Sequence, residues 1–123
     1  MLVQGKSVLL AGIEPMLAED LSQHLSARGL KIHEAENIEP NESREKYDLV
    51  FCETRQPGLF ALLRATSSPV VVVSRVPEVN EWLDAMDAGA VDYCAAPFER
   101  EQLDWILEST IGRGKASSMA AAA

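Results

Sequence analysis

Five short apolar segments, separated by stretches with helical spacing, constrain the fold of this 123-residue chain more than any other feature. Four are nearly continuous apolar runs, as expected of strands buried on both faces of a parallel sheet. The other, residues 30–35, alternates apolar and polar residues, which favours an edge strand. The five segments are residues 7–11, 30–35, 49–52, 70–73 and 91–95.

The segments between these strands have the pattern of helices, two of them short. After Pro15, leucines recur every four residues through Leu25, and Gly29 follows as a stop signal. Residues 41–46 allow about one helical turn, and residues 59–68 about two turns before a proline. The second and third helices are therefore predicted to be shortened.

The last two helices are predicted over residues 78–88 and 99–111. In the first of them, Val79, Leu83 and Met86 form an apolar stripe that is expected to face the core. The final helix carries its apolar residues on one face. They are Leu103, Ile106, Leu107 and Thr110.

Strands that alternate with helices require a mostly parallel sheet with helices on both faces, which is an α/β fold. For five strands the flavodoxin-like order 2-1-3-4-5 is expected, with a functional cleft at the carboxyl ends of strands 1 and 3. Residues 1–111 are predicted to form one domain. Residues 112–123 (GRGKASSMAAAA) have the composition of a flexible linker or an appended tail.

Composition excludes several functions. A net charge of −8 argues against binding of nucleic acid or an anionic membrane, and no apolar run is long enough to span a bilayer. Cys52 and Cys94 lie within strand-like runs, which predicts buried, unpaired thiols in a cytoplasmic protein. No Cys/His cluster is present, so we expect no metal site.

Five segments also resemble a known family in their order and spacing. SVLLAGIEP, YDLVFCETRQPG, PVVVVS, DAGAVDYCAAPF and the EQL of the last helix are similar to the receiver domain of bacterial response regulators. The resemblance covers residues 6–111. It implies a two-component signalling module, whose active members transfer a phosphoryl group to an aspartate with the help of Mg²⁺.

The resemblance also shows which positions should carry that chemistry, and most of them are changed. The acidic pair that holds Mg²⁺ corresponds to Gly12 and Ile13, the phosphoacceptor to Glu53, and the lysine to Ala96. The family also has a hydroxyl side chain at the end of the fourth strand, and this position alone keeps its group, as Ser74. The chain therefore resembles a degenerate receiver with no catalytic residues, metal or cofactor.

Glu53 would lack its usual cation in such a site. Arg75 or Arg55 is expected to bond its carboxylate, Arg75 being preferred, because an unpaired carboxylate at the rim of a core is costly. The alternative is that Glu53 and both arginines point into water. Glu14 is expected to point away from the cleft.

Three aromatic residues are candidates for a switch or an interface. Tyr93 matches the aromatic residue that switches position in the family, and Trp82 and Trp105 fall on the last two helices. In the family these helices and the last strand form the face that binds partners. Exposed tryptophans there would suit an interface, whereas partial burial is the alternative. We expect a protein partner or a tethered output domain on this face, or a homodimer through it.

These observations favour a regulatory module that is independent of phosphorylation and is not an enzyme. One alternative is a phosphoaccepting receiver with a rearranged set of carboxylates, namely Glu14, Asp48 or Asp92. Another is a flavodoxin-like domain that binds a small molecule. The loop after the first strand (GIEP) lacks the glycines that a phosphate-binding loop needs, which argues against the second alternative.

Overall fold

The computed structural model describes residues 5–35, 47–54, 58–66, 68–76 and 78–112. In chain order its elements are β1 (Ser7–Ala11), α1 (Pro15–Ser26), β2 (Lys31–Ala35), β3 (Leu49–Glu53), α2 (Leu59–Ala65), β4 (Val70–Ser74), α3 (Val79–Asp87), β5 (Asp92–Ala95) and α4 (Arg100–Leu107). A turn of π-helix, Glu108–Gly112, follows α4.

The five strands form one parallel sheet in the order β2-β1-β3-β4-β5, as predicted. In this sheet Val8 of β1 aligns with Ile32 of β2 on one side and with Leu49 of β3 on the other. All strands run in the same direction, so the carboxyl ends of β1, β3 and β4 meet at one edge. That edge is where the candidate site lies.

Each face of the sheet is covered by a pair of helices. Helices α1 and α4 pack on one face, where Leu21 and Leu103 meet Leu10 and Phe51 of the sheet. Helices α2 and α3 cover the opposite face, where Leu59 contributes to the core. Alternate residues of each strand enter opposite layers, which explains why the central strands are apolar throughout.

Both cysteines are buried and unpaired, as expected from their positions in strands. Cys52 belongs to the layer under α2 and α3, and Cys94 to the layer under α1 and α4. Burial raises the pKa of each thiol to about 12, with a smaller contribution from neighbouring carboxylates. Both groups are therefore protonated at neutral pH.

The orientation predicted for α3 is wrong. Val79 and Leu83, which were expected to face the core, are 63% and 53% exposed, and Met86 is also exposed. The buried residue of this helix is Ala85. Helical spacing identifies an apolar stripe but not the side of the helix that meets the sheet, and here the small side chain makes the closest approach.

The last helix is shorter than predicted. Regular α-helix ends at Leu107, and the π-turn begins at Glu108. The hydroxyl of Thr110 donates a hydrogen bond to the carbonyl oxygen of Ile106 at 2.7 Å. Such a bond competes with the backbone ladder, which is consistent with the change of helix type.

Two helices were predicted to be short, and the structure describes one of them. Helix α2 has seven residues, which agrees with the prediction of about two turns. The turn predicted at residues 41–46 lies outside the described residues, as does the tail from residue 113 onward. Within the described part of the chain, no helix has the length and apolarity needed to cross a bilayer.

Candidate functional site

A cavity of about 220 Å³ lies at the sheet edge where β3 and β4 end. This is the cleft that the order of the strands predicts. Its lining is polar and contains two carboxylates and one guanidinium group. The lining residues are Glu14, Glu53, Thr54, Ser74, Arg75 and Val76.

Glu53 is the last residue of β3 and is half-buried. Its Oε1 accepts a hydrogen bond from the backbone N–H of Glu14, with an N···O distance of 2.5 Å. Because β1 and β3 are neighbours, the carboxylate reaches the loop that follows the adjacent strand. This bond joins the end of β3 to the start of α1.

The guanidinium of Arg75 bonds the carboxylate of Glu14, and the Arg75 side chain is 54% exposed. The predicted pair between Arg75 and Glu53 is therefore wrong, since Arg75 bonds Glu14 instead. The Glu53 carboxylate accepts from the Glu14 backbone N–H, and the Glu14 carboxylate bonds the guanidinium. Arg55, the other candidate cation, lies outside the described residues.

The prediction that Glu14 points away from the cleft is wrong. Glu14 is the N-cap residue of α1 and has an extended backbone (φ −52°, ψ 139°). Pro15 favours this conformation, because a proline disfavours helical backbone angles in the residue before it. Its side chain lines the cavity together with Glu53. The Glu-Pro pair after the first strand was the signal in the sequence that could have identified this residue.

The three most altered positions of the site carry no ligand side chain. Gly12 has a φ of 60°, in the left-handed region, where an acidic residue with a β-carbon would be strained. Ile13 and Ala96 pack against the core layer of α1 and α4. These side chains complete the hydrophobic core instead of projecting oxygen or nitrogen atoms into the cleft.

The residues at the cleft do not fit a magnesium ion. Mg²⁺ requires an octahedral set of oxygen ligands, usually including one or two free carboxylates. Of the two carboxylates here, Glu14 is held by Arg75, and one oxygen of Glu53 is held by an amide. The described residues also contain no cluster of three or more potential ligands.

Two residues that the resemblance connects with switching have defined positions. The hydroxyl of Ser74 is buried and donates to the carbonyl oxygen of Val76 at 2.8 Å. The hydroxyl of Tyr93 is buried and has no hydrogen-bond partner among the described residues. The Tyr93 ring lies 6.3 Å from that of Trp82, between centroids. Restriction of Tyr93 to one position stays a prediction.

The two tryptophans differ in exposure. Trp82 is 43% exposed on α3 and lies against Tyr93, which agrees with the alternative of partial burial. Trp105 is 61% exposed on α4. A role of either residue in an interface stays a prediction.

The alternative carboxylates do not assemble with the cleft. Asp48 precedes β3 and accepts a hydrogen bond from the Ser7 backbone N–H at 2.8 Å, at the opposite edge of the sheet. Asp92 is the first residue of β5 and bonds the N–H of Tyr93. Of the rearranged set, Glu14 alone lines the cavity.

The sequence of this chain is similar to those of known regulatory proteins. No family model matches the chain. The transcriptional activator protein PfeR of Pseudomonas aeruginosa is 29% identical over 121 residues, which cover 90% of this chain and 39% of PfeR. The response regulator protein FleR of the same organism is 32% identical over 117 residues, which cover 86% of this chain and 25% of FleR. The chain thus spans less than half of either relative.

A solved structure supports the same assignment at the level of fold. A response regulator from Thermotoga maritima superposes with a TM-score of 0.74 at 23% identity, over 88% of this chain and 98% of that one. The fold and cleft define a flavodoxin-like domain. Within that class, the chain is similar in sequence to response regulators and in fold to solved receiver domains.

Proposed function

We propose that this chain is a receiver module that works without phosphorylation and regulates a protein partner or a tethered output domain by direct contact. The observation that carries the proposal is the arrangement of Glu14, Arg75 and Glu53 across the cleft. Protein groups satisfy one another there, where an active receiver would hold a metal ion and a phosphoryl group.

The chemistry of phosphoryl transfer supports this proposal. Transfer depends on accurate positioning and on neutralisation of the charge that develops on the phosphoryl oxygens. Glu53 is one methylene longer than aspartate, and Ala96 cannot supply a positive charge. Arg75 is the one cation among the described residues that line the cavity, and its guanidinium already bonds the Glu14 carboxylate. Each of these changes opposes the reaction.

The relatives support a role in the control of an output. PfeR is named a transcriptional activator, and the chain matches only 39% of its length. A module of this kind would be joined to, or would bind, the part of a regulator that acts on the target. The proposal places it in the cytoplasm, where such regulators meet DNA.

Incubation with acetyl phosphate and Mg²⁺, followed by intact-mass measurement, tests the proposal. We expect no adduct under conditions in which a receiver with the acidic pair, aspartate and lysine is fully modified. That active receiver serves as the positive control. A stoichiometric mass increase of one phosphoryl group on this chain would refute phosphorylation independence. Loss of that adduct in Glu53→Gln would then identify the acceptor.

A further inference from the structure

A larger cavity lies away from the cleft, between the end of α1 and the start of α4. Its volume is about 850 Å³, which is within the range of sites that bind small organic molecules. The cavity is open to solvent and is here called the α1–α4 groove. Its charged and titratable lining consists of two arginines, one histidine and one aspartate. These are Arg28, Arg100, His24 and Asp104.

Arg28 brings a fixed guanidinium group to the groove. Its side chain is only 10% exposed, and it donates to the carboxylate of Asp104 and to the carbonyl oxygens of His24 and Arg100. These bonds use three of the five N–H groups of a guanidinium, so two stay available. A group that is already held in place loses little freedom when a ligand binds it.

Arg100 adds a second guanidinium group, which is exposed. Within the described part of the chain, its side chain makes no hydrogen bond or ion pair. Asp104, the one carboxylate of the lining, is already bonded to Arg28. The groove therefore has more positive charge than its own residues neutralise.

A lysine extends this positive charge along the face that α1 and α4 cover. The backbone N–H of Gly5 donates to the carbonyl oxygen of Gly29 at 2.8 Å, which brings the start of β1 to the groove. Val8 and Leu10 enter the core layer under α1 and α4, so strand alternation places Lys6 on the same side. Lys6, Arg28 and Arg100 are half of the six lysines and arginines among the described residues. Such a grouping in a chain of net charge −8 favours local attraction of anions.

We propose that the α1–α4 groove binds a small molecule that carries a multiply charged oxyanion, such as a phosphate ester. The oxyanion would accept from the two available N–H groups of Arg28 and from the planar fork of Arg100. Because Arg28 directly follows α1 and Arg100 begins α4, the ligand would join the two helices. This inference goes beyond the proposed function and does not depend on it. It would give a module that is not phosphorylated a diffusible input.

The two histidines of the chain provide a readout of position. His24 lines the groove, whereas His33 lies on β2 beside the ring of Tyr47. Pyrophosphate is titrated into the full chain at constant pH and ionic strength, and the histidine C2 protons are followed by NMR, with His33→Asn to assign them. We expect a saturable shift of His24 alone, with a Kd of about 1 mM or tighter. A shift of neither histidine, or an equal shift of both, would overturn the proposal.

Arginine variants separate the groove from net charge. Arg100→Gln is expected to raise the Kd at least about tenfold, because it removes charge-assisted hydrogen bonds to the oxyanion. The matched control is Arg64→Gln, at an exposed arginine of α2. It should change the Kd less than about twofold at physiological salt, where the Debye length is about 8 Å. Equal weakening by both variants would show attraction by net charge alone and would overturn the proposal.

A second variant tests the buried guanidinium. Arg28→Lys keeps the positive charge but loses the planar fork, and we expect it to weaken binding about threefold or more. Circular dichroism checks that each variant folds. Unchanged affinity in folded Arg100→Gln and folded Arg28→Lys would contradict binding in the groove.

Citrate, titrated under the same conditions, distinguishes the two kinds of oxyanion that share this chemistry. Tighter binding of pyrophosphate would assign the groove to phosphate-bearing ligands, and tighter binding of citrate would assign it to polycarboxylates. Either result, with the His24 shift, supports the proposal.

These outcomes are distinct from those for the proposed function, since a non-covalent oxyanion leaves no adduct on the denatured chain. A chain that resists acetyl phosphate but shows no His24 shift keeps the proposed function and loses this inference. A chain that is phosphorylated and also shows the His24 shift loses phosphorylation independence and keeps the oxyanion site.

Discussion

Replacement of Arg28 by alanine should destabilise the domain strongly, because this residue joins α1 to α4. Its side chain is only 10% exposed, and its Nε donates to Oδ1 of Asp104 at 2.6 Å. Its two terminal nitrogens donate to the carbonyl oxygens of His24, at 2.5 Å, and Arg100, at 3.1 Å. One guanidinium therefore serves three acceptors on two helices.

The expected cost follows from these contacts. A hydrogen bond to a charged group contributes about 1.5–3 kcal/mol, and an acceptor that loses its partner is penalised unless water replaces it. Asp104 is 46% exposed, and the Arg100 contact is exposed, so water can compensate for part of the loss. We expect Arg28→Ala to lower the free energy of unfolding by about 2–3 kcal/mol.

Urea unfolding followed by far-ultraviolet circular dichroism measures this change. Arg28→Lys keeps the charge but cannot serve three acceptors, so an intermediate loss of about 1–2 kcal/mol is expected. Arg64→Ala, at an exposed arginine of α2, is the matched control, with an expected change below about 0.5 kcal/mol. If Arg28→Ala costs no more than this control, the junction does not hold the helices together.

Three further predictions concern the cleft and the thiols. Glu53→Ala should lower the free energy of unfolding in urea by about 1–2 kcal/mol, because it leaves the Glu14 amide unpaired. Glu53→Gln keeps an acceptor and should lower it by less than about 0.5 kcal/mol. Equal losses in the two variants would refute the hydrogen bond. Arg75→Ala should lower the free energy of unfolding by less than about 1 kcal/mol, and this loss should vanish in high salt, because the ion pair is exposed. A larger loss that does not depend on salt would contradict this geometry. Cys52 and Cys94 should resist a thiol reagent until the chain unfolds, and rapid labelling of the native chain would contradict their burial. Their raised pKa of about 12, against an ordinary 9.0, means that the folded state binds these protons more tightly, so stability should fall as pH rises from about 9 toward 12.

The sheet could be predicted from sequence because its strands are defined by composition over four or five residues. The valine run of β4 is buried throughout, and a buried run of this kind between turn signals has few other interpretations. Strand order then followed from the alternation with helices. The ends of individual strands were predicted less accurately, since β4 continues to Ser74 and β2 begins one residue later than predicted.

Side-chain direction at the cleft and on α3 could not be predicted in the same way. The path of Glu14 depends on one extended residue before a proline, and its partner Arg75 is 61 residues away in sequence. On α3 the apolar stripe fits either orientation until the packing of Ala85 is known. Both errors concern rotations about a single element, which hydrophobic periodicity leaves open.

The cleft and helix α3 are connected through Arg75, which lies between β4 and α3. Its exposed ion pair with Glu14 contributes at most about 1 kcal/mol and weakens with salt, so it restrains the loop only lightly. The position of α3 depends more on the burial of Ala85 and on the contact between Trp82 and Tyr93. Changes within the cleft therefore have only a weak ion pair through which to act on α3.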